Sequence, residues 1–211
     1  KDTSPDVFRV VAYDYDDRDA PGIAQKLADS SISVNELRQG PAFAWNTALK
    51  FVPNFDAYIL AADDLIFFPY WLEETLVKLD EIGGSGLIGF NDKKVVSDDL
   101  FSSHYLMTRD FMIAHHGGVM AIPHYNGNGV DVEACERAQQ VKLYARADDA
   151  FVHHDWKGNK ADSDSTYKIG ATRRKSASRL IRQRRRKNWP DDFQPILMEV
   201  KNANRTFSSQ S

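Results

Sequence analysis

Tyr58-Ile59-Leu60-Ala61-Ala62-Asp63-Asp64 is the stretch whose reading decides the fold. Five apolar residues without polar alternation describe a strand buried on both faces, the pattern of a parallel sheet covered by helices. The run stops at two adjacent carboxylates. Pro69 then opens a helix predicted to reach about Ile82, with Trp71, Leu72, Leu76 and Leu79 forming its apolar stripe. Buried strand, polar turn and amphipathic helix together make the unit of an open α/β sheet. In such sheets ligands bind beyond the carboxyl ends of the strands.

Upstream the same alternation recurs. Residues 7–13 (VFRVVAY) are β-branched and aromatic and give way to an acidic turn at 14–21 (DYDDRDAP), so a strand ends there. A short helix is predicted over 22–29, a strand over 32–37 and, after the Gly40-Pro41 break, a helix over 42–52. Beyond the loop Gly83-Gly84-Ser85-Gly86, strands are predicted at 87–90 and 104–108. A short helix from Arg109 to a Gly117-Gly118 break follows, then a helix at 132–140 and strands at 142–145 and 150–153. Residues 157–165 (KGNKADSDS) have the composition of a mobile loop. A basic helix over about 172–187 comes next, and 202–211 reads as a frayed tail. The expected division is one α/β domain over residues 1–170 and a basic helix with its tail over 171–211.

With 42% hydrophobic and 27% charged residues, the 211-residue chain has the make-up of an ordinary globular protein with one good core. No apolar run approaches the roughly 20 residues that span a bilayer. Residues 1–8 carry no apolar signal-peptide segment. The single cysteine, Cys135, excludes an internal disulfide framework and suits a reducing compartment, so a cytoplasmic location is expected. Nine Lys/Arg and no Asp/Glu lie between Arg173 and Lys187; against a net charge of −3 the remainder carries −12. An acidic body argues against a nucleic-acid-binding surface on the main domain. It suits a site that gathers carboxylates around a cation. The basic run could bind nucleic acid or anionic lipid; Ser176, Ala177, Leu180 and Ile181 give its helix a small apolar side, and docking on the acidic body is the reading preferred between them.

Five groups of residues carry candidate chemistry. Asp63 and Asp64 follow a buried strand, where paired carboxylates either bind Mg²⁺ or Mn²⁺ or serve as a helix cap and a solvated charge. Asp131, just before a predicted helix, is by default an N-cap; in a crevice it would be a general base toward a hydroxyl. His153-His154-Asp155 ends a strand, and histidine there can be a metal ligand or one of a surface pair. The acidic turn at 14–17 could accept hydrogen bonds from a nucleobase or ribose, or be a plain solvated turn. His115-His116-Gly117-Gly118 is a weaker signal, its glycines allowing a ligand or backbone to approach closely. Phosphate-cradling, dinucleotide, nucleophile-elbow and CxxC motifs are absent from the sequence.

The order of these signals resembles the GT-A glycosyltransferases, in particular the large inverting family two and related viral or bacterial sequences. The ordered set is Asp14–Asp17 after a strand, Gly40 and Asn46 opening a helix, then Asp63-Asp64 followed by aromatics and Pro69-Tyr70-Trp71-Leu72. Arg109-Asp110, Gly117-Gly118, Pro123-His124-Tyr125, Asp131-Val132-Glu133 with Arg137-Ala138, and His154 continue it. The resemblance covers about Val7 to Trp156. It implies a Rossmann-like open mixed sheet flanked by helices, with Asp63 and Asp64 as the acidic motif that binds Mn²⁺ or Mg²⁺ against the donor diphosphate. His154 would close the metal site, Asp131 would be the catalytic base, and Asp14, Asp16, Arg38, Asn46 and Asp63 would contact the nucleotide-sugar donor. The implied activity is metal-dependent, inverting transfer of a sugar from a nucleoside diphosphate, with UDP expected, to a glycan or other hydroxyl acceptor. Two departures accompany it. The motif reads Ala62-Asp63-Asp64-Leu65 rather than Asp-x-Asp, and only Lys1–Asp6 precede the first predicted strand, where the family begins with a further strand and loop that hold the base. The alternative expectation is a non-catalytic GT-A-like module that binds a glycan or protein through a degenerate nucleotide pocket.

Overall fold

In chain order the elements are β1 (Val10–Asp14), α1 (Ala20–Leu27), β2 (Ser30–Val34), α2 (Pro41–Phe51), β3 (Ala57–Leu60), β4 (Leu65–Phe67), α3 (Trp71–Glu81), β5 (Leu87–Asn91), β6 (Tyr105–Thr108), α4 (Arg109–His115), α5 (Val130–Gln140), β7 (Tyr144–His154) and α6 (Ser165–Arg186). They come from a computed structural model that describes residues 7–34, 40–62, 64–92, 101–125, 128–154 and 165–198. Strands and helices alternate as the apolar runs predict, and the chain is an α/β protein. β1 and β2 pair in parallel as a two-stranded sheet, and the other strands form a mixed five-stranded sheet in the order β3-β6-β5-β7-β4. Within it β5 and β7 run parallel, whereas β6 is antiparallel to both β3 and β5, and β4 is antiparallel to β7. The carboxyl ends of β3, β5 and β7 therefore share one edge with the amino ends of β6 and β4.

Side-chain alternation explains why the central strands look uniformly apolar. In β5, Leu87 enters the core on one face while Ile88 and Phe90 enter the core on the other; β6 does the same with Tyr105 and Met107 against Leu106. The first face is covered by α2, α4 and α5 through residues such as Ala42, Leu49, Phe111, Met112, Ala134 and Ala138. The second is covered by α3, whose Trp71 stacks edge-on to Phe90 at 5.7 Å and sits 4.4 Å from Phe67 of β4. Burial on both faces removes the polar alternation by which a half-exposed strand is recognised.

Three boundaries differ from the pattern in the sequence. β4 is a strand of three residues whose central Ile66 is 60% exposed, so no periodicity marks it; pairing with β7 creates it. β7 is one strand, not two. Its partners jump from Ala147 to Phe151 between the adjacent Phe90 and Asn91 of β5, so Asp148–Ala150 is accommodated as an irregularity within a continuous strand. α6 begins at Ser165, seven residues before the predicted start. Its far end is docked: Leu180 and Ile181 pack against the first core, as the small apolar side of that helix suggested. Among the described residues no helix is long and apolar enough to cross a membrane.

Candidate functional site

Because Leu65 pairs with His154 across β4 and β7, the residue before Leu65 is brought beside the last residue of β7. Asp64 Oδ2 lies 3.2 Å from His154 Nε2. Two further side chains border this pair. Asp92 follows β5, is almost fully buried, and has Oδ2 at 4.0 Å from His154 Nδ1, an ionic neighbour beyond hydrogen-bonding distance. His104 immediately precedes β6, is 6% exposed, and sets its ring edge-on to that of His154 with centroids 4.8 Å apart. All four residues stand at the sheet edge where β3, β5 and β7 end, the position at which open α/β sheets present ligands.

Burial, reinforced by the neighbouring His154, pushes the His104 imidazole down to about 4, against the opposing pull of Asp64 and Asp92. The Leu60 backbone is near enough to favour the protonated ring slightly, yet neither ring nitrogen makes a hydrogen bond of ordinary geometry among the described residues. His104 is accordingly a neutral ring at physiological pH. Neither it nor Asp92 stands out in the sequence. The available signal was positional, since Asp92 follows a buried strand as Asp64 does.

Asp131 occupies the first turn of α5, after Gly129 in a left-handed conformation. Its Oδ1 accepts a hydrogen bond from the Val132 amide at 2.9 Å. Although part of its surface is accessible, the packed surroundings dominate: burial raises the carboxyl to about 6, with backbone donors at Val132, Asp131 and Gly129 resisting. One turn on, Cys135 Sγ donates to the Ser102 carbonyl at 3.6 Å, and the Asp131 charge is felt at Tyr105. These contacts set the start of α5 against the segment that carries His104. Cys135 itself is a buried core thiol, raised by burial to about 12.

The remaining predicted site residues are placed differently. Asn46 is buried in α2, where Oδ1 accepts from the Met120 and Ala121 amides at 3.1 Å each and Nδ2 donates to the Ala121 carbonyl at 2.6 Å. Its carboxamide is thus engaged in tying α2 to the 119–121 segment rather than turned toward a ligand. Asp14 ends β1 and Asp16 is exposed in the following turn, on the two-stranded sheet; Asp17 Oδ1 accepts from the amides of Asp19 and Ala20 at the approach to α1. Asp63 and Arg38 lie outside the described residues, as do Lys1–Asp6, residues 157–164 of the predicted loop and the 202–211 tail. His116 is a core residue whose Nδ1–H donates to the Val119 carbonyl at 2.7 Å. The glycines beside it admit a backbone, as their presence suggested: Gly118, at φ +68°, receives the Ile196 and Leu197 amides on its carbonyl at 2.9 and 2.8 Å.

A second buried polar cluster stands apart from the site. Glu133 is fully buried, and each of its carboxylate oxygens accepts two hydrogen bonds, at 2.8–3.1 Å: one from Arg137 Nε, one from the Tyr125 hydroxyl and two from Arg184. Burial alone would raise the Glu133 carboxyl; the Arg184 hydrogen bond and the charges of Arg137 and Arg184 overcome this and hold it low. Arg137 and Arg184 also reach Asp191, Asp192 and the carbonyls of Trp189 and Pro190. The basic helix is therefore locked to α5 through an ion-pair network.

Asp64 and His154 offer an oxygen and a nitrogen donor to a cation. Among the described residues no group of three or more His, Cys, Asp or Glu side chains is placed to hold a metal ion. Ions of the Mg²⁺ and Mn²⁺ kind are commonly held by one or two carboxylates with substrate phosphates completing the shell. Asp64 and His154 are two donors at the sheet edge, fewer than such a three-residue group. The chain was compared with family models, curated proteins and solved structures. It matches none of them.

Proposed function

We propose that this protein is a GT-A-type, metal-dependent inverting glycosyltransferase that moves a sugar from a nucleoside diphosphate, UDP in the first instance, to a hydroxyl acceptor. The observation that carries the reading is the Asp64–His154 pair at the carboxyl edge of the sheet, with Asp131 at a helix start beside the neighbouring strand. Asp64 and His154, with Asp63 adjoining in sequence, would hold Mn²⁺ or Mg²⁺, which when bound neutralises charge growing on the departing diphosphate. Asp131 supplies the base. A carboxyl held at about 6 is mostly ionised at neutral pH and still basic enough to take a hydroxyl proton. The acceptor oxygen forms its bond to the anomeric carbon as the bond to the diphosphate oxygen breaks. The nucleoside diphosphate keeps that electron pair, and the proton passes to Asp131.

Calorimetry with UDP-sugars in the presence and absence of Mn²⁺ tests the reading directly. Metal-dependent binding is expected, and its absence for every nucleotide sugar tried would sink the proposal. Asp131→Asn should lower turnover by about 10²–10⁴-fold while donor binding is retained; unchanged turnover would remove Asp131 as the base. A second reading, a GT-A-like module that binds a glycan or protein without catalysis, is favoured by the lack of a three-ligand set among the described residues. It predicts glycan or partner binding that is indifferent to Mn²⁺.

A further inference from the structure

Of the nine cations between Arg173 and Lys187, the eight from Arg174 onward are sorted by face along α6 and its end. Arg184 is committed to Glu133 and Asp192, Arg185 is ion-paired with Glu136, and Arg174 has a polar contact of its own. Lys175, Arg179, Arg182 and Arg186 recur at spacings of four, three and four residues. At 3.6 residues per turn this keeps them within roughly 60° of one another, in a straight strip about 16 Å long. All four are exposed, and among the described residues none has an acidic partner. Leu180, Ile181 and Arg184 point the opposite way, into the body. Gln183 and Lys187 flank the strip and, with Arg179, Arg182 and Arg186, line a shallow recess of about 270 Å³.

We propose that this strip docks the protein on an anionic lipid surface by binding headgroup phosphates. Guanidinium groups meet phosphate oxygens in paired hydrogen bonds, and clustered Lys/Arg on a helix are drawn to anionic leaflets. The body's charge of −12 does not prevent approach. A helix with its side chains is about 10 Å thick, which holds the body beyond the roughly 8 Å screening length of physiological salt. Shape selects the partner. Four cations in line along one exposed helix face meet a plane along their whole length, the recess beside them being shallow, whereas a duplex groove would require α6 to sink in, and its far side is packed against α5 and the core. The strip also lacks aromatic residues on which unpaired bases could stack.

Vesicle flotation of the full chain decides the matter. One set of vesicles is pure phosphatidylcholine, and the other contains about 30% phosphatidylglycerol, each at about 50 and 500 mM NaCl. Recruitment is expected only to the anionic vesicles and only at low salt. Arg179→Glu/Arg182→Glu/Arg186→Glu should weaken it on the order of a hundredfold. A variant with the same net charge, Lys26→Glu/Lys50→Glu/Lys142→Glu, reverses exposed lysines off the strip and should bind as the parent does. Thermal unfolding of both variants confirms that they are folded. No recruitment to anionic vesicles, or equal losses in the two variants, would overturn the proposal. Anisotropy with a duplex oligonucleotide provides the remaining arm: a duplex bound while vesicles are ignored would overturn it too.

Discussion

Glu133 and His104 are both buried polar side chains of one chain, yet their surroundings differ in kind. Around Glu133 every carboxylate lone pair has a donor, and two guanidinium groups share the charge. Around His104 there are close charges and a neighbouring ring, but neither nitrogen has a geometrically sound partner among the described residues. The first arrangement fixes structure, since a fully satisfied network resists any shift of its parts. The second leaves two buried ring nitrogens without such partners among the described residues, beside the Asp64–His154 pair at the sheet edge. The difference teaches that burial of charge says little by itself; the partners decide whether a buried group is structural or poised.

The largest effect should come from breaking the satisfied cluster. Glu133→Gln keeps the shape but leaves Arg137 and Arg184 as buried cations without their shared anion. Removing one partner of a buried pair costs about 3–5 kcal/mol, because the remaining charge stays desolvated. Urea titration at pH 7 should show a loss of that size, with α6 released first in hydrogen exchange. A change below about 1 kcal/mol would mean that Leu180 and Ile181, not the ion pairs, hold α6 in place.

Next in size is the response to acid. His104 and His116 are both held neutral by burial, each at about 4 against an ordinary 6.5. Their folded values lie below the unfolded ones, so stability is fully present above about pH 6.5 and drains as pH falls toward 4, where the unfolded chain binds protons that the folded one refuses. Each site is worth about 3 kcal/mol over that window by the usual conversion of 1.36 kcal/mol per unit. Asp131 works the other way: its raised folded value means that protonation below about 6 favours the fold. Two histidines outweigh one carboxyl. Urea midpoints should therefore fall between pH 6.5 and 4.5 while imidazole NMR signals of both rings stay neutral at pH 5; a flat stability profile with either ring charged at pH 5 would break this account.

How much of this was legible beforehand follows from the same physics. The strand over residues 57–60 and the helix after Pro69 were visible, because an apolar run and an amphipathic helix each leave a local imprint; the parallel setting expected for that strand is not what forms, since β3 is an edge strand paired antiparallel with β6, with Ala57 and Ile59 only half-buried. The encounter of Asp64 with His154 was not visible as geometry. It depends on β4, three residues whose pairing with β7 is written nowhere in their own periodicity. Asn46 shows the other side of this: the resemblance implied a donor contact there, and only the fold shows that the 119–121 backbone already engages its carboxamide. His104 was hidden because one polar residue before an apolar strand looks like a strand end. The basic helix was half legible, since sequence gave its charge, while only packing shows which cations turn inward.

The smallest expected effect is also the sharpest test of the contrast with Glu133. His104→Phe replaces an imidazole without hydrogen-bond partners among the described residues by an apolar ring of similar shape, still able to meet His154 edge-on. Leaving a buried polar group unpaired costs about 1–3 kcal/mol, and Phe removes that cost while adding a little bulk against the Asp64 and Asp92 side. The two changes nearly cancel, so stability at pH 7 should be unchanged or rise by up to about 1 kcal/mol. The variant should also lose one histidine's share of the acid sensitivity, so its urea midpoint falls less steeply between pH 6.5 and 4.5. A loss greater than about 2 kcal/mol at pH 7 would show that the His104 ring is tied into a network as Glu133 is. The two clusters would then be alike in kind, and the sheet edge would not be the poised one.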